Sequence, residues 1–137
     1  FVDGASWYIR DYNRREPPKS LVNMNGSAQQ VDQVLTQHGY DPAALSVPRV
    51  AVIASGSNAS PTRLNEKFSS TPGQTLIPVI KYQIADLVPA FSAKFASYGS
   101  ITSTLQYAPG LQSEMFVTYL NEAQLIRMTQ VNCQQQI

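Results

Sequence analysis

The sequence predicts an α+β fold, and the order of its apolar patterns is the reason. After residue 49 the patterns read as one strand, a loop, a helix, several strands and a last helix. Strands outnumber helices in this order and two of them are read as a hairpin, which argues against a doubly wound parallel sheet. At 137 residues the chain has the size of one ordinary domain.

The first part of the chain, residues 1–49, is expected to form an arm and one short helix. The stretch before Ser27 shows no clear period and is read as irregular. Ser27 and Gln30 have the spacing of a capping box and Gly39 is a natural stop, so a helix is predicted between them. Prolines interrupt the residues after this helix. The main domain is therefore predicted to span residues 50–137.

A strand that ends in small polar residues opens this predicted main domain. Residues 50–53 are a short, unbroken, β-branched run, which is typical of a strand buried on both faces. Ser60 and Pro61 suit the N-cap and the first position of a helix. The loop from Ser55 to Asn58 is thus predicted to join a strand to a helix. Such a loop aims backbone N–H groups at one spot and is suited to holding a carboxylate.

Further strands and one helix are predicted along the rest of the chain. The patterns place β segments at residues 76–80, 81–96, 101–107 and 115–120. Pro109-Gly110 is a turn signal, which joins the last two segments as a hairpin. Asn121 is expected to cap a closing helix, with Gln124 at its third position and Met128 facing inward.

Composition excludes several classes of partner. The formal net charge is +1 and basic residues occur in no block longer than a pair, so no nucleic-acid partner is expected. No apolar segment approaches the ~20 residues needed to cross a bilayer, so no membrane partner is expected and a cytoplasmic location is assumed. The single cysteine, Cys133, and the single histidine, His38, do not make a tetrahedral zinc site, and no metal is expected.

Four segments, in order, resemble the γ-glutamylcyclotransferase family. They read IASGSN, GSITSTL, PG and LNEAQL and lie at residues 53–58, 99–105, 109–110 and 120–125. That family shows a Tyr-Gly-Ser-Asn loop after its first strand, a Gly-x-x-Ala-Thr-Leu-like strand, a Pro-Gly turn and a short helix rich in leucine. The resemblance covers about residues 50–132, and residues 50–137 would then form a cyclotransferase-like domain.

The resemblance implies a small mixed β-barrel flanked by short helices, and an activity. Its members release 5-oxoproline from γ-glutamyl compounds, as the α-amine of the substrate attacks its own γ-carbonyl. Such a reaction needs positioning, a proton carrier and donors that face the developing oxyanion. No metal or cofactor is implied. The residues that would bind the γ-glutamyl or another carboxylate-bearing ligand are Ser55, Gly56, Ser57 and Asn58.

Two positions depart from the family pattern. Ser55 stands where the family has tyrosine, and Asn132 stands at the position of the catalytic glutamate. An amide is not a general base near neutral pH, and the loss of such a group costs about 10²–10⁴ in rate. Glu114 and Glu122 are neighbours in sequence, but neither is well placed to replace it. Two other functions therefore stay open, namely a carboxylate-binding module without catalysis and a protein-interaction domain.

Overall fold

The structure is a computed structural model, and it describes residues 7–68, 76–95, 99 and 101–134. Strands and α-helices alternate irregularly along these residues. The strands are β1 (Tyr8–Asp11), β2 (Leu21–Met24), β3 (Ser27–Gln30), β4 (Val50–Ala54), β5 (Val79–Phe95) and β6 (Ile101–Leu120). The helices are α1 (Val31–Gln37), α2 (Pro61–Phe68) and α3 (Glu122–Gln134). The α+β class is confirmed.

Two open antiparallel sheets contain all the described strands. Each sheet has three strands, in the orders β1-β2-β3 and β4-β6-β5. Within the described residues these sheets do not close, so the small β-barrel is not found there. One apolar cluster lies against the first sheet and contains Val22, Val34, Leu35, Leu45 and Leu76. A second lies between the other sheet and its helices and contains Leu64, Phe68, Ile77, Leu120 and Met128.

The N-terminal sheet occupies part of the stretch that the sequence analysis treats as irregular. Asn25 and Gly26 both have positive φ, 52° and 84°, and they form the tight turn between β2 and β3. Ser27 therefore lies in a strand, where its hydroxyl donates to the Met24 carbonyl at 3.1 Å. The predicted capping box is wrong, because Ser27 and Gln30 both lie in strand β3 of the hairpin. Helix α1 begins only at Val31.

The end of α1 agrees with the prediction. Gly39 has a φ of 80°, a conformation that favours glycine. The N–H of Tyr40 donates to the Leu35 carbonyl at 2.9 Å, and the Gly39 N–H donates to the Thr36 carbonyl at 3.1 Å. This pair of bonds is the Schellman arrangement, which satisfies carbonyls left over at a helix end.

Strand β4 is an edge strand and not the doubly buried strand that its apolar run suggests. It pairs with the end of β6, from Val50 opposite Leu120 to Ala54 opposite Phe116. Val50 keeps 52% of its surface exposed, and Ala51 on the opposite face of the strand is exposed as well. The rest of β6 pairs with β5 alone, so the β5–β6 ribbon has two strands beyond the reach of β4.

A bulge replaces the predicted hairpin at Pro109-Gly110. Residues 101–120 form one continuous strand, and the segments 76–80 and 81–96 likewise give one strand that starts at Val79. The pairing moves from Ala85–Gln112 to Leu87–Tyr107, so residues 108–111 lie opposite Asp86 alone. Asp86 has a φ of 64°, and its Oδ1 accepts a hydrogen bond from the Gly110 N–H at 2.8 Å.

This bulge bends the ribbon back toward the end of β4. Phe116 pairs with Ala54, and Ser103 lies about 13 positions earlier on the same strand. A straight strand would separate Ser103 from Phe116 by roughly 40 Å. The Ser103 hydroxyl nevertheless donates to the carbonyl of Ser55, the residue after Ala54. The outer half of the ribbon must therefore fold over, as strands do at bulges.

Candidate functional site

The loop between β4 and α2 has the predicted strand–loop–helix context. Ser55 and Asn58 are half-buried, whereas Gly56 and Ser57 are exposed. A short 3₁₀ turn begins at Ser57 and leads directly into the helix. The Ser60 carbonyl accepts the first helical bond, from the Leu64 N–H at 2.9 Å, so Ser60 occupies the N-cap position.

Strand β6 holds one side of this loop through Ser103. Its hydroxyl donates to the Ser55 carbonyl and lies directly against Gly56. A Cβ added to Gly56 would come within 2.6 Å of Ser103 Oγ, which is closer than real contacts allow. Glycine is therefore favoured here by close approach and not by its φ. The contact brings together two of the segments that carry the family resemblance, the loop and the strand at residues 99–105.

Helix α2 holds the other side of the loop through a buried lysine. Lys67 is only 4% exposed, and its Nζ donates to Asn58 Oδ1 at 2.7 Å. The same Nζ lies 3.4 Å from Met128 Sδ on α3. Burial lowers the pKa of Lys67, the positive charge of Arg63 lowers it further, and Glu66 opposes both. The loop thus lies beside a buried amine, which makes its surroundings more positive.

Several of the described carboxylates are held in ion pairs. Glu114 forms an ion pair with Lys81 at 2.9 Å, and Glu66 pairs with Arg63 at 2.7 Å. Glu122 is exposed at the start of α3. Among the described hydrogen bonds none joins a carboxylate to the loop. The backbone of Asn132 lies in α3, but its side chain falls outside what the structure describes, so its position relative to the loop stays a prediction.

Lys67 is not among the predicted site residues, although the sequence contains a signal for it. Leu64, Lys67 and Phe68 have the spacing of one helix face, and all three are buried. A lysine in the middle of an apolar stripe is unusual, because burying its charge is costly without a partner. Ser103 lies in the segment at residues 99–105, which carries part of the family resemblance. Its contact with the loop nevertheless depends on the bend of the ribbon.

A second polar cluster, away from the loop, links the two sheets. The hydroxyls of Tyr82 and Tyr119 are 2.8 Å apart, and Arg14 Nε donates to the Tyr82 hydroxyl at 3.1 Å. Burial first, and then the hydrogen bond to Tyr82, raises the pKa of Tyr119 to about 12. The Tyr12 ring packs against the Tyr119 ring at a tilt of 44°, with ring centroids 5.2 Å apart. The Tyr119 phenol is therefore neutral at pH 7, and the cluster serves as a structural junction.

The described cavities lie away from the Ser55–Asn58 loop. An apolar cavity of about 40 Å³ separates the N-terminal sheet from the segment before β5, with Trp7, Leu35 and Pro78 among its walls. A second cavity, of about 340 Å³, lies beside Glu16 and Asp32. Neither cavity is lined by a residue of the loop, so neither extends it into a pocket.

Along the described residues, no helix combines the length and the apolar character needed to cross a membrane. The same residues contain no group of three or more His, Cys, Asp and Glu side chains arranged to hold a metal ion. Comparisons with models of protein families, with curated proteins and with solved structures find no match for the chain.

Proposed function

We propose that this chain is a γ-glutamylcyclotransferase-like protein that binds γ-glutamyl compounds at the Ser55–Asn58 loop. The observation that supports this proposal is the contact of Ser103 with Ser55 and Gly56, which joins two segments of the resemblance in space. The bent β5–β6 ribbon is, on this view, an open counterpart of the small mixed β-barrel that the family resemblance implies. Residues 50–137 then form the ligand-binding domain.

The loop offers the hydrogen-bond donors that a carboxylate needs. Gly56 and Ser57 are exposed, so their backbone N–H groups and the Ser57 hydroxyl are within reach of a ligand. The Lys67 ammonium donates a hydrogen bond to Asn58 Oδ1, which fixes the orientation of the side-chain amide. The Nδ2 donors of Asn58 therefore point away from the ammonium group. A ligand carboxylate beside these donors would also gain from the buried positive charge. A loop held by hydrogen bonds from Ser103 and Lys67 loses less conformational entropy on binding than a free loop would, which favours affinity.

Binding without rapid turnover is the expected behaviour of this chain. In the family reaction, a carboxylate helps the α-amine of the substrate attack the γ-carbonyl, and 5-oxoproline is released. Asn132 stands at that position and offers no basic oxygen near neutral pH. We expect release of 5-oxoproline to be about 10²–10⁴ slower than with a glutamate there. The Asn132→Glu variant is then expected to raise the rate by a factor in that range.

Two measurements test this proposal on the full chain. Isothermal titration with γ-glutamylalanine measures binding, and detection of 5-oxoproline measures turnover in the chain and in Asn132→Glu. Asn58→Leu removes a loop contact, and Asn65→Leu is the matched control because Asn65 is exposed on α2. We expect Asn58→Leu to abolish binding and Asn65→Leu to retain it. If the folded chain gives no binding signal at millimolar ligand, the proposal is wrong.

A further inference from the structure

The outer half of the β5–β6 ribbon carries an exposed apolar face. Residues directly opposite each other on paired strands point to the same side of a sheet, and so do alternate residues of one strand. This apolar face consists of Pro89, Phe91 and Phe95 on β5 and Ile101, Leu105 and Tyr107 on β6. Phe91 is 82% exposed, Phe95 75%, Tyr107 70% and Ile101 53%.

The apolar face is continuous with the Ser55–Asn58 loop. Ser103 belongs to the same side of β6 as Ile101 and Leu105, and it lies directly opposite Phe91. Cβ atoms of such opposed residues are about 5 Å apart. The Ser103 hydroxyl donates to the Ser55 carbonyl. Phe91 is therefore separated from the loop only by the side chain of Ser103. A molecule anchored at the loop therefore has this apolar face as its next neighbour.

The scarcity of charged residues in the ribbon indicates the chemistry of a group that could bind there. Between Leu87 and Ser113 the sequence contains a single charged residue, Lys94. A group that packs on this face finds aromatic and aliphatic side chains and almost no ion-pair partner. Exposed apolar surfaces of this kind mark binding sites. The fitting group is therefore aromatic or branched aliphatic.

We infer that the γ-glutamyl compound bound at the loop carries an aromatic or branched aliphatic group on its γ-amide, and that this group packs on Phe91 and Leu105. The inference rests on the proposed function, because it assigns the remainder of the ligand held at the loop. The γ-glutamyl carboxylate lies at the exposed donors of Gly56 and Ser57. The γ-amide then points toward Ser103 and places its substituent on the apolar face.

Titration calorimetry with two matched ligands tests the inference. γ-Glutamylphenylalanine is expected to bind about tenfold more tightly than γ-glutamylglycine, since a partly buried aromatic ring contributes about that factor. Phe91→Ala is expected to remove this difference. Ile126→Ala, an exposed aliphatic position on α3, is the control and should keep the tenfold preference.

The outcomes separate the inference from the proposal beneath it. Equal affinities for the two ligands, with γ-glutamylglycine still bound, overturn the inference and leave the proposed function standing. Binding of neither ligand overturns the proposed function and the inference together. Sedimentation velocity examines the alternative occupant, a second copy of the chain. A dimer that Phe91→Ser dissociates would assign the apolar face to that second copy and overturn the inference, whereas a monomer supports it.

Discussion

A glycine-to-alanine change at Gly56 tests whether the loop and the bent ribbon touch as described. The new Cβ would lie 2.6 Å from Ser103 Oγ, and the next nearest atom is Ser103 Cβ at 3.8 Å. The hydroxyl must therefore rotate away, and its hydrogen bond to the Ser55 carbonyl breaks. Once the hydroxyl is removed by Ser103→Ala, the remaining 3.8 Å contact is an ordinary one.

The size of the effect follows from the hydrogen bond that is lost. Leaving a buried or half-buried carbonyl without its donor costs about 1–3 kcal/mol. Gly56→Ala and Ser103→Ala should each reduce the free energy of unfolding by about this amount, for the same reason. The double variant loses that bond only once, so its stability should resemble that of Ser103→Ala alone. The expected coupling free energy is therefore about 1–3 kcal/mol.

Urea unfolding of the four proteins, followed by circular dichroism, measures this coupling. Gly39→Ala combined with Ser103→Ala is the control. Gly39 lies at the C-terminal end of α1, beside the N-terminal sheet, and shares no contact with Ser103. The control pair should be additive within about 0.5 kcal/mol. Equal additivity in the Gly56 and Ser103 pair would refute the contact, and with it the fold-back of the ribbon. Slopes of the unfolding curves must match for the comparison to hold.

Three further predictions concern the bulge, the cap of α3 and the buried amine. Asp86→Ala removes the acceptor for the Gly110 N–H and places alanine at a positive φ, so urea unfolding should show a loss of about 1–3 kcal/mol in stability. Asp86→Asn should restore part of that stability. Asn121→Ala removes an acceptor for the Gln124 N–H and should cost about 1 kcal/mol in thermal unfolding. Lys67 has a folded pKa below 10.5, so folding disfavours its protonated form. The stability of the chain relative to Lys67→Met should therefore rise as the pH increases through the folded pKa toward 10.5, and a flat difference would contradict the burial of this charge.

Features encoded by neighbouring residues could be predicted from the sequence. The strand at residues 50–53, the helix that starts at Pro61 and the reciprocal bonds between Asn121 and Gln124 all depend on residues a few positions apart. The loop from Ser55 to Asn58 was located for the same reason. The role of the loop in binding stays a prediction, and so does the relation of the chain to the family that it resembles.

Features that depend on distant pairing could not be predicted. A glycine with positive φ suits both a turn and a bulge, so Pro109-Gly110 alone does not distinguish them. The partner that decides is Asp86, which lies 24 positions away. Asn25-Gly26 was different, because it is a strong local hairpin signal that the predicted capping box displaced. The contacts of Lys67 and Ser103 with the loop likewise required the assembled structure.

The outer half of the ribbon has only two strands, so the geometry of the loop depends on an equilibrium between a closed and an open ribbon. A hairpin without a third strand is marginally stable in water, so amides beyond the reach of β4 should exchange with deuterium sooner than those opposite it. Each opening carries Ser103 away from Ser55 and releases one anchor of the loop. Apparent affinity at the loop is then the intrinsic affinity scaled by the fraction of molecules whose ribbon is closed. A ligand that also contacts the ribbon would slow that exchange.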